Sequence, residues 1–581
     1  MTYRFLRQVF IFFAAAAISV SFSSAASAAL GAKTATQPLV LAHYMPWYQV
    51  PPVSRQFNHW NLRNEGSEVP GNPFDLEKTS NGKAQIGSRF YPLTGPYDSR
   101  NPVVLEYHAA LMKLAGIDGV IFDWYGIRDS DGYFDYVSIH QGVLEMVKVI
   151  RKAGLKFAVC YEDQTIKHMI EEGKLTASEA IGVAREAIAW LDANFFDDPA
   201  YVKTEDGRPV LFCFGPQYFP EAGQWNSIFS GISPRPYFVD WMSAPGEGFR
   251  GNDGADASFF WPDMPDDGEL TRAKLVEGLS WFYGVFKDSP YIVAGVSPSF
   301  GDAVLKEAKM QTNSRFLTYD DGGTFSLMFE TAESWQPDVI QLITWNDYGE
   351  STIIEPTVER GYAELEYVQR WRKKTDAAFP AFTPEDLRAP LEFFKLMAGK
   401  TATPAQAGLI EAAYGAIFSG NPVAFRDCAA QAGVEYDLSV QPNLRETVTL
   451  PGALTGGSVR ADGAPAAAGE NVSITVTANS GYALEAIDVF ETGNESVKVN
   501  LSDDNGNFTF TMPSFAVTVR ASFKSGAQEP GGDDDNNDDD NNDDNEDKPG
   551  AGGGGCNAGG AGSLILAAAA VVISIRMFRR V

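Results

Sequence analysis

Eight short β-rich runs, each followed by a loop and usually by a stretch of helical periodicity, constrain the fold of this chain most strongly. Amphipathic stretches such as 103–114, 141–153 and 177–193 lie between them. Eight alternating β and α units over about 340 residues are what a (β/α)8 barrel requires. We therefore predict an α/β fold, a (β/α)8 TIM barrel over residues 38–375. The predicted strands are Leu39–Tyr44, Gly119–Trp124, Lys156–Tyr161, Pro209–Phe214, Pro236–Trp241, Ala257–Trp261, Tyr291–Val296 and Val339–Trp345.

The N-terminus has the pattern of a targeting segment. Arg4 and Arg7 precede a mostly apolar stretch, residues 9–20, that is too short to span a bilayer. The small residues of Ala26-Ser27-Ala28 follow as a cleavage site. Residues 1–28 are therefore a predicted signal peptide, and the body of the protein is expected to be exported.

Two folded segments are predicted after the barrel. Residues 384–435 predict short helices, two of which begin with threonine before a proline. Residues 446–524 are rich in Val and Thr with period-two alternation, which predicts a small all-β module. Pieces of this module, such as Gly481-Tyr482 and Phe510–Pro513, resemble the divergent InlB-type repeat of bacterial surface proteins. The resemblance implies a spacing or weakly adhesive role.

The last part of the chain is compositionally biased. Ten of the fifteen positions from 533 to 547 are acidic and the others are Asn, so residues 525–555 predict an extended, disordered linker. Residues 556–581 combine a short apolar segment with terminal arginines. Together with the preceding glycine run and Cys556, they resemble a SYNERG-CTERM-type sorting signal; a plain tail anchor is the alternative. Either predicts attachment to the bacterial envelope, with release after processing near Cys556 left open.

Charge and cysteine content exclude other classes of protein. The formal net charge of −29 argues against a nucleic-acid partner, because phosphates would repel a chain without a local basic face. Of the four cysteines, Cys160 and Cys213 fall in apolar strands and are predicted to be core thiols. No Cys and His spacing suits a metal, and Asp320–Gly323 is predicted to be a turn rather than a calcium loop. We predict no cofactor and no metal.

Polar and aromatic residues follow the predicted strands. In a (β/α)8 barrel the C-terminal strand ends form one face, so these side chains should meet there. Rings that stack on sugars beside acids that bind hydroxyls are typical of a carbohydrate cleft, which predicts a poly- or oligosaccharide substrate. The candidate binding residues are His43, Tyr44, Trp47, Asp123, Trp124, Tyr161, Glu162, Asp163, Trp241, Asn346 and Tyr348.

Four motifs in order resemble the glycoside hydrolases of families 71 and 99. They are the opening His43–Tyr48, the run Gly116–Tyr125, Tyr161-Glu162-Asp163, and Thr344–Ser351. The resemblance covers roughly residues 38–375. It implies an endo-acting enzyme that cleaves α-mannan or α-1,3-glucan. The opening motif is closer to family 99 and the last one to family 71.

Asp347 and Glu350, after strand eight, are the predicted catalytic pair. Glycosidic cleavage needs one protonated carboxyl for the leaving oxygen and one ionised carboxyl for activation. The family 99 likeness implies that Asp347 acts as base on the substrate's 2-hydroxyl and Glu350 as general acid. The family 71 likeness implies instead that Asp347 or another acid activates a water. Family 99 carries glutamate at position 347, so the substrate and the stereochemical course stay open.

Each of these assignments has a structural alternative. Asp347 could only cap its loop, with Glu350 solvated, and the aromatic residues could only close the barrel rim. Glu162 and Asp163 could be exposed loop acids, and Asp123 and His43 could be satisfied buried groups. For the whole protein, the alternative is an inert carbohydrate-binding or adhesive surface protein on the same barrel.

Overall fold

The computed structural model describes residues 37–62, 72–128, 136–241, 254–434 and 445–525, the last with short gaps at 447, 452–453, 463–465, 468–470, 493, 505 and 514–516. The predicted signal peptide, acidic tract, Cys556 and C-terminal anchor lie outside the described residues. Within the described ranges, no helix is long and apolar enough to cross a membrane.

The eight predicted strands form a closed barrel in which every neighbouring pair is parallel. Strand order follows chain order, and the first strand pairs with both the second and the eighth. This confirms the predicted (β/α)8 fold. The strands are β1 (Leu39–Tyr44), β2 (Gly119–Trp124), β3 (Lys156–Tyr161), β4 (Val210–Cys213), β5 (Tyr237–Trp241), β6 (Ala257–Phe259), β7 (Val293–Val296) and β8 (Val339–Leu342).

Alternation along the strands divides their side chains between the barrel interior and the helix layer. Leu41 and Ile121 belong to the apolar cluster that fills the interior. Val40 and Phe122, one residue away, belong to the cluster beneath the helices. Continuing this period places position 43 of β1 and position 123 of β2 on the interior side.

Helices follow most of the strands, and a second group follows the barrel. The 3₁₀ segment Pro384–Arg388 leads into the second group, as the Thr-Pro starts predicted. In that group the helices Ala389–Ala398 and Pro404–Phe418 pack against the helix Pro102–Ala115, where the rings of Phe394 and Tyr107 lie 5.9 Å apart. The helices are α1 (Pro102–Ala115), α2 (Tyr136–Ala153), α3 (Gln164–Glu171), α4 (Ala180–Leu191), α5 (Ala222–Ile228), α6 (Arg272–Phe286), α7 (Ala303–Glu307), α8 (Gly323–Ser334), α9 (Ala363–Thr375), α10 (Ala389–Ala398), α11 (Pro404–Phe418) and α12 (Pro422–Gln431).

Short accessory strands lie in the connections of the barrel. One hairpin, Asp75–Ser80 with Lys83–Gln85, lies between β1 and β2. A second small sheet joins Phe300–Gly301, Arg315–Leu317 and Gly268–Glu269. This second sheet builds the connection between β7 and β8.

The predicted C-terminal module is all β, as expected. Its core is apolar and includes Val472, Phe508 and Val519. One four-stranded sheet contains Val448–Thr449, Val517–Ser525, Tyr482–Glu491 and Asn494–Val499; the other contains Gly457–Asp462, Asn471–Ala478, Asn507–Thr511 and Ser502–Asp504; Arg445–Glu446 pairs with Ala466–Ala467.

Gly116 joins the end of α1 to α9. It caps α1 with a left-handed backbone (φ +81°), and its carbonyl accepts a 3.0 Å hydrogen bond from Arg372 Nε. Arg372 also reaches Asp118, whose carboxylate accepts from the backbone N–H of Val40 in β1. The cap therefore holds the first two strands and the last helix of the barrel together.

We predict that Gly116→Ala destabilises the protein by about 3 kcal/mol, through left-handed strain and overpacking. A methyl group there would fall 2.8 Å from Arg372 Cγ and 3.0 Å from Phe379 Cε2. Gly154→Ala is the matched control, because Gly154 is also left-handed after a helix (φ +63°) but has nothing within 4 Å of that position. The control should lose only about 1 kcal/mol. Equal losses in urea unfolding would contradict the proposed packing constraint.

Candidate active site

Inward-facing positions at the C-terminal ends of the strands form the mouth of the barrel. Asp123 ends the inner face of β2, and Glu162 directly follows β3. The two side chains share a hydrogen bond. Tyr125 also bonds Asp123, and Gln164 Nε2 donates to Glu162 Oε2 at 2.7 Å. These contacts make the first of two acidic pairs in the mouth.

Burial decides the protonation of this pair. Asp123 and Glu162 are only 2% and 4% exposed. Loss of hydration raises the pKa of Asp123 to about 7. Burial, followed by the neighbouring Asp123, raises the pKa of Glu162 well above its ordinary value. The pair therefore shares a proton near neutral pH.

The second pair lies on the loop after β8. Thr344 fastens this loop, since its hydroxyl donates to the carbonyl of Thr352 at 3.0 Å and accepts from the N–H of Asp347 at 2.8 Å. Asp347 Oδ1 in turn accepts from the N–H of Glu350 at 3.0 Å, and the N–H of Gly349 also bonds this carboxylate. The two predicted catalytic acids are thus held in one closed turn.

Both loop acids bind protons more tightly than in water. Burial raises the pKa of Asp347 to about 7, although the loop amides oppose the shift. Burial, and then the adjacent Asp347, raises the pKa of Glu350 to about 8. Asp123 adds repulsion to both loop acids, so the two pairs form one electrostatic cluster. At neutral pH the cluster contains both proton donors and proton acceptors.

His43 lies on the inner face below this cluster and is neutral. Burial lowers the pKa of its imidazole to about 4, and the neighbouring Gln341 side chain of β8 opposes this shift. Its ring meets the edge of Trp261, with centroids 5.3 Å apart. The predicted sugar contact of His43 remains a prediction.

Three of the predicted binding residues face the helix layer and not the barrel mouth. Tyr44, Trp124 and Tyr161 are buried in the apolar layer between strands and helices. The Tyr44 hydroxyl bonds His108 Nδ1 at 3.0 Å, and the Trp124 indole N–H donates to His140. Each is one residue away from an inward-facing position, so strand alternation turns it outward. The prediction that these residues line the cleft is wrong.

Two residues of the strand-eight motif support the loop from beneath. Asn346 is fully buried, and its amide bonds both the N–H and the carbonyl of Met45 at 2.8 and 3.0 Å. Tyr348 is buried in an apolar cluster with Trp60. Neither side chain is placed to contact substrate, which corrects their predicted binding roles.

Asp163 has a structural task in place of the predicted sugar contact. It is fully buried, and its Oδ1 accepts from the N–H of Gln217 at 2.7 Å. Oδ2 accepts from the N–H groups of Tyr218 and Phe219 at 2.8 and 2.9 Å. Asp163 therefore anchors the loop after β4.

Two predicted aromatic residues remain partly exposed. Trp47 stacks on His59, with centroids 4.8 Å apart and planes 3° apart. Trp241, on the inner face of β5, stacks on Phe214 at 4.7 Å. Both keep surface that a sugar ring could cover, and their binding roles remain predictions.

Tyr125 and Gln164 are contacts that the sequence prediction missed. Each touches one member of the first acidic pair. The signal was available, because Tyr125 directly follows β2, two residues after Asp123. Gln164 lies two residues after Glu162.

Metal ligation has no geometric support in the described part of the chain. No group of three or more His, Cys, Asp or Glu side chains is arranged there to hold a metal ion. Asp320 and Asp321 lie in a 3₁₀ turn, and Asp320 pairs with Arg272 at 3.2 Å.

Buried carboxyls with mixed protonation, at the mouth of a (β/α)8 barrel with aromatic residues at its rim, define a glycosidase. Comparison with family models agrees. Residues 36–233 match the model of glycosyl hydrolase family 99, and residues 176–377 match that of glycosyl hydrolase family 71. Together the two matches span the barrel, which is similar to glycoside hydrolases of both families. Residues 447–527 match the divergent InlB B-repeat domain.

Similar proteins are named as α-mannosidases. The chain is 21% identical over 339 residues to a glycoprotein endo-alpha-1,2-mannosidase of Xenopus laevis, covering 56% of this chain and 71% of that relative. It is 34% identical over 96 residues to the Mus musculus enzyme of the same name, covering 16% and 20%. A solved GH99 endo-alpha-mannosidase from Bacteroides thetaiotaomicron is 18% identical, with a TM-score of 0.43, covering 58% of this chain and 98% of that chain.

We predict opposite effects from two neighbouring isosteric substitutions. Glu162→Gln replaces a carboxyl that burial keeps protonated, so stability should hold while glycan hydrolysis falls about tenfold or more. Asp163→Asn puts a donor against backbone N–H groups and should lower the unfolding free energy by about 2 kcal/mol. Thermal unfolding and reducing-end release measure the two effects. A Glu162→Gln variant with full activity would remove this residue from the substrate site.

Proposed function

We propose that this protein is an exported, endo-acting glycosidase that cleaves an α-linked polysaccharide, with α-mannan preferred over α-1,3-glucan. One observation carries the proposal: Asp347 and Glu350 share a closed turn at the barrel mouth, where burial raises the pKa of Asp347 to about 7 and that of Glu350 to about 8. Their arrangement supplies a donor and an acceptor on the same loop. Glycosidic cleavage uses such a pair.

Glu350 is the proton donor in this mechanism. Its pKa of about 8, raised by burial and then by Asp347, keeps it protonated at neutral pH. Protonation of the departing glycosidic oxygen turns a poor leaving group into an alcohol. Once Glu350 has given up its proton, the nearby charge of Arg315 stabilises the carboxylate.

Asp347 is the activating base. Its Oδ1 is fixed by the loop amides, which orient the carboxylate and partly offset its desolvation. In the ionised form it can remove a proton from the substrate's own 2-hydroxyl or from a water molecule. Its side chain is one methylene shorter than the glutamate of family 99. Whether its carboxylate reaches the 2-hydroxyl or a water molecule decides between these two courses.

The Asp123–Glu162 pair serves binding. A carboxyl pair that shares one proton can both donate to and accept from sugar hydroxyls. Tyr125 and Gln164 hold the pair in place. Repulsion from Asp123 also raises the pKa of Asp347.

The similar proteins support the choice of substrate. Two of them carry the name endo-alpha-1,2-mannosidase, and one of these alignments spans 339 residues. The family 71 match over residues 176–377, which include the catalytic loop, keeps α-1,3-glucan as the second substrate. Hydrolysis of a glycan panel, read for linkage and for the anomer released, decides between them.

Location at the cell surface is part of the proposal. The N-terminal segment 1–28 would direct export, and residues 556–581 would hold the protein in the envelope, subject to processing near Cys556. The acidic linker would extend by self-repulsion and keep the barrel away from the membrane. Fractionation of cells expressing the full chain tests this placement.

We predict that Asp347→Asn and Glu350→Gln each lower hydrolysis of the polysaccharide by at least about a hundredfold without unfolding the barrel. An α-glycosyl fluoride separates their roles, because fluoride leaves without a proton donor. Glu350→Gln should therefore recover activity on the fluoride, whereas Asp347→Asn should not.

Asp320→Asn is the matched control, since it removes an exposed acid of the strand-seven connection and should leave both activities unchanged. Full polysaccharide hydrolysis by both loop variants would contradict the catalytic assignment. Glycan binding without any hydrolysis by the wild type would favour the inert carbohydrate-binding alternative.

A further inference from the structure

The first part of the connection between β7 and β8, residues 297–318, is hydrogen-bonded to the catalytic loop; we call it the strand-seven insertion. The N–H of Gly301 donates to the carbonyl of Glu350 at 2.7 Å. Ser351 Oγ donates back to the carbonyl of Gly301 at 2.9 Å, and Ser299 Oγ donates to the carbonyl of Ser351 at 2.6 Å. The insertion thereby fixes the backbone on which Glu350 stands.

Arg315 and Asp302 form the polar centre of this insertion. Asp302 is fully buried; its Oδ1 accepts from the backbone N–H of Arg315, and its Oδ2 from Arg315 Nε, both at 2.7 Å. The backbone N–H of Asp302 donates to the carbonyl of Arg315 at 3.2 Å. The guanidinium also lies over the ring of Phe300, 5.3 Å from its centroid. These four contacts, with Asp302 and Phe300, hold Arg315 more firmly than a solvated surface ion pair would.

The contacts with Asp302 hold the guanidinium but occupy only some of its N–H donors. Among the described residues, the hydrogen bonds of Arg315 use its backbone N–H and Nε–H, and the side chain is 32% exposed. Because Arg315 is fixed and partly desolvated, its positive charge acts on the nearby Glu350 more strongly than a solvated surface charge would.

Four charged or titratable groups face Glu350. Asp347 on its own loop and Asp302 on the insertion are acidic and favour its protonated form. Asp123 at the end of β2 is also acidic, and the charge of Glu350 raises its pKa. Arg315 is the only cation among the groups whose charge acts on it in the described structure, and it favours the ionised form.

We propose that Arg315, fixed by the buried carboxylate of Asp302, is a positioning residue that sets how strongly Glu350 holds its transferable proton. The inference rests on the proposed role of Glu350 as proton donor. Asp302 has two functions in it: it orients the guanidinium, and its own negative charge partly cancels that of Arg315. The strand-seven insertion would then tune the acid as well as support its loop.

Opposite shifts follow when the two charges are removed separately. Without the cation, Glu350 should keep its proton to higher pH, so Arg315→Gln should move the alkaline limb of kcat/KM upward by about half a pH unit or more. Without the anion, Asp302→Asn should move the same limb downward. Arg315→Lys keeps the charge and should keep the limb of the wild type. A purely structural pair would not produce shifts of opposite sign.

The experiment is the pH profile of kcat/KM for these three variants of the full chain, on the polysaccharide that the wild type cleaves. Arg151→Gln is the matched control, because Arg151 binds Asp198 through Nε at 2.7 Å in a similar ion pair on α2. It should not shift the profile. If Arg315→Gln does not fold, the direction of the Asp302→Asn shift decides.

A second measurement separates failure of this inference from failure of the proposed function. Carboxyl ¹³C titration, with the Glu350 signal assigned through Glu350→Gln, gives the midpoint of Glu350 whether or not the protein hydrolyses a glycan. A higher midpoint in Arg315→Gln and a lower one in Asp302→Asn support the proposal. Unchanged midpoints, or shifts in the same direction, overturn it. Absence of hydrolysis by the wild type counts against the proposed function alone.

Discussion

Removal of carboxyl groups from water is the interaction on which the active site depends. Closure of eight parallel strands leaves a mouth in which Asp123, Glu162, Asp347 and Glu350 have little hydration. Water would leave all four ionised near neutral pH, and an ionised set could not donate a proton to a leaving group. The barrel thus obtains its proton donors by removing ordinary carboxyl groups from water.

This arrangement works against stability at high pH. Asp347 and Glu350 release their protons near 3.8 and 4.5 when unfolded, but near about 7 and about 8 when folded. Their contribution to folding is therefore fully present below the unfolded pKa values and is lost as pH rises through the folded ones. The hydrogen bonds of the loop, from Thr344 to Gly301, hold the acids together despite this repulsion. The contacts that support the loop therefore also hold together the two acids whose pKa values are raised.

The sequence specified the barrel well and the cleft less well. Strand positions follow from apolar β-branched runs, and three of them, β1 to β3, have the predicted bounds. The cleft errors share one cause: Tyr44, Trp124 and Tyr161 were assigned by proximity to a strand end, whereas alternation decides which side chains face inward. Arg315 and Asp302 could not be found, because both lie far from the catalytic loop in the sequence and only tertiary pairing brings them beside Glu350. The split likeness to family 99 in the first half and family 71 in the second was visible in the motifs.

The most direct test of the account compares the thermal unfolding of the wild type with that of the Asp347→Asn, Glu350→Gln double variant across pH. If desolvated acids form the site, the double variant should be more stable than the wild type above pH 8. The difference in melting temperature should shrink as pH falls and vanish below about pH 4, where the unfolded acids are also protonated. A difference of the same size at every pH would show that burial does not control the protonation of these two residues, and would contradict the account.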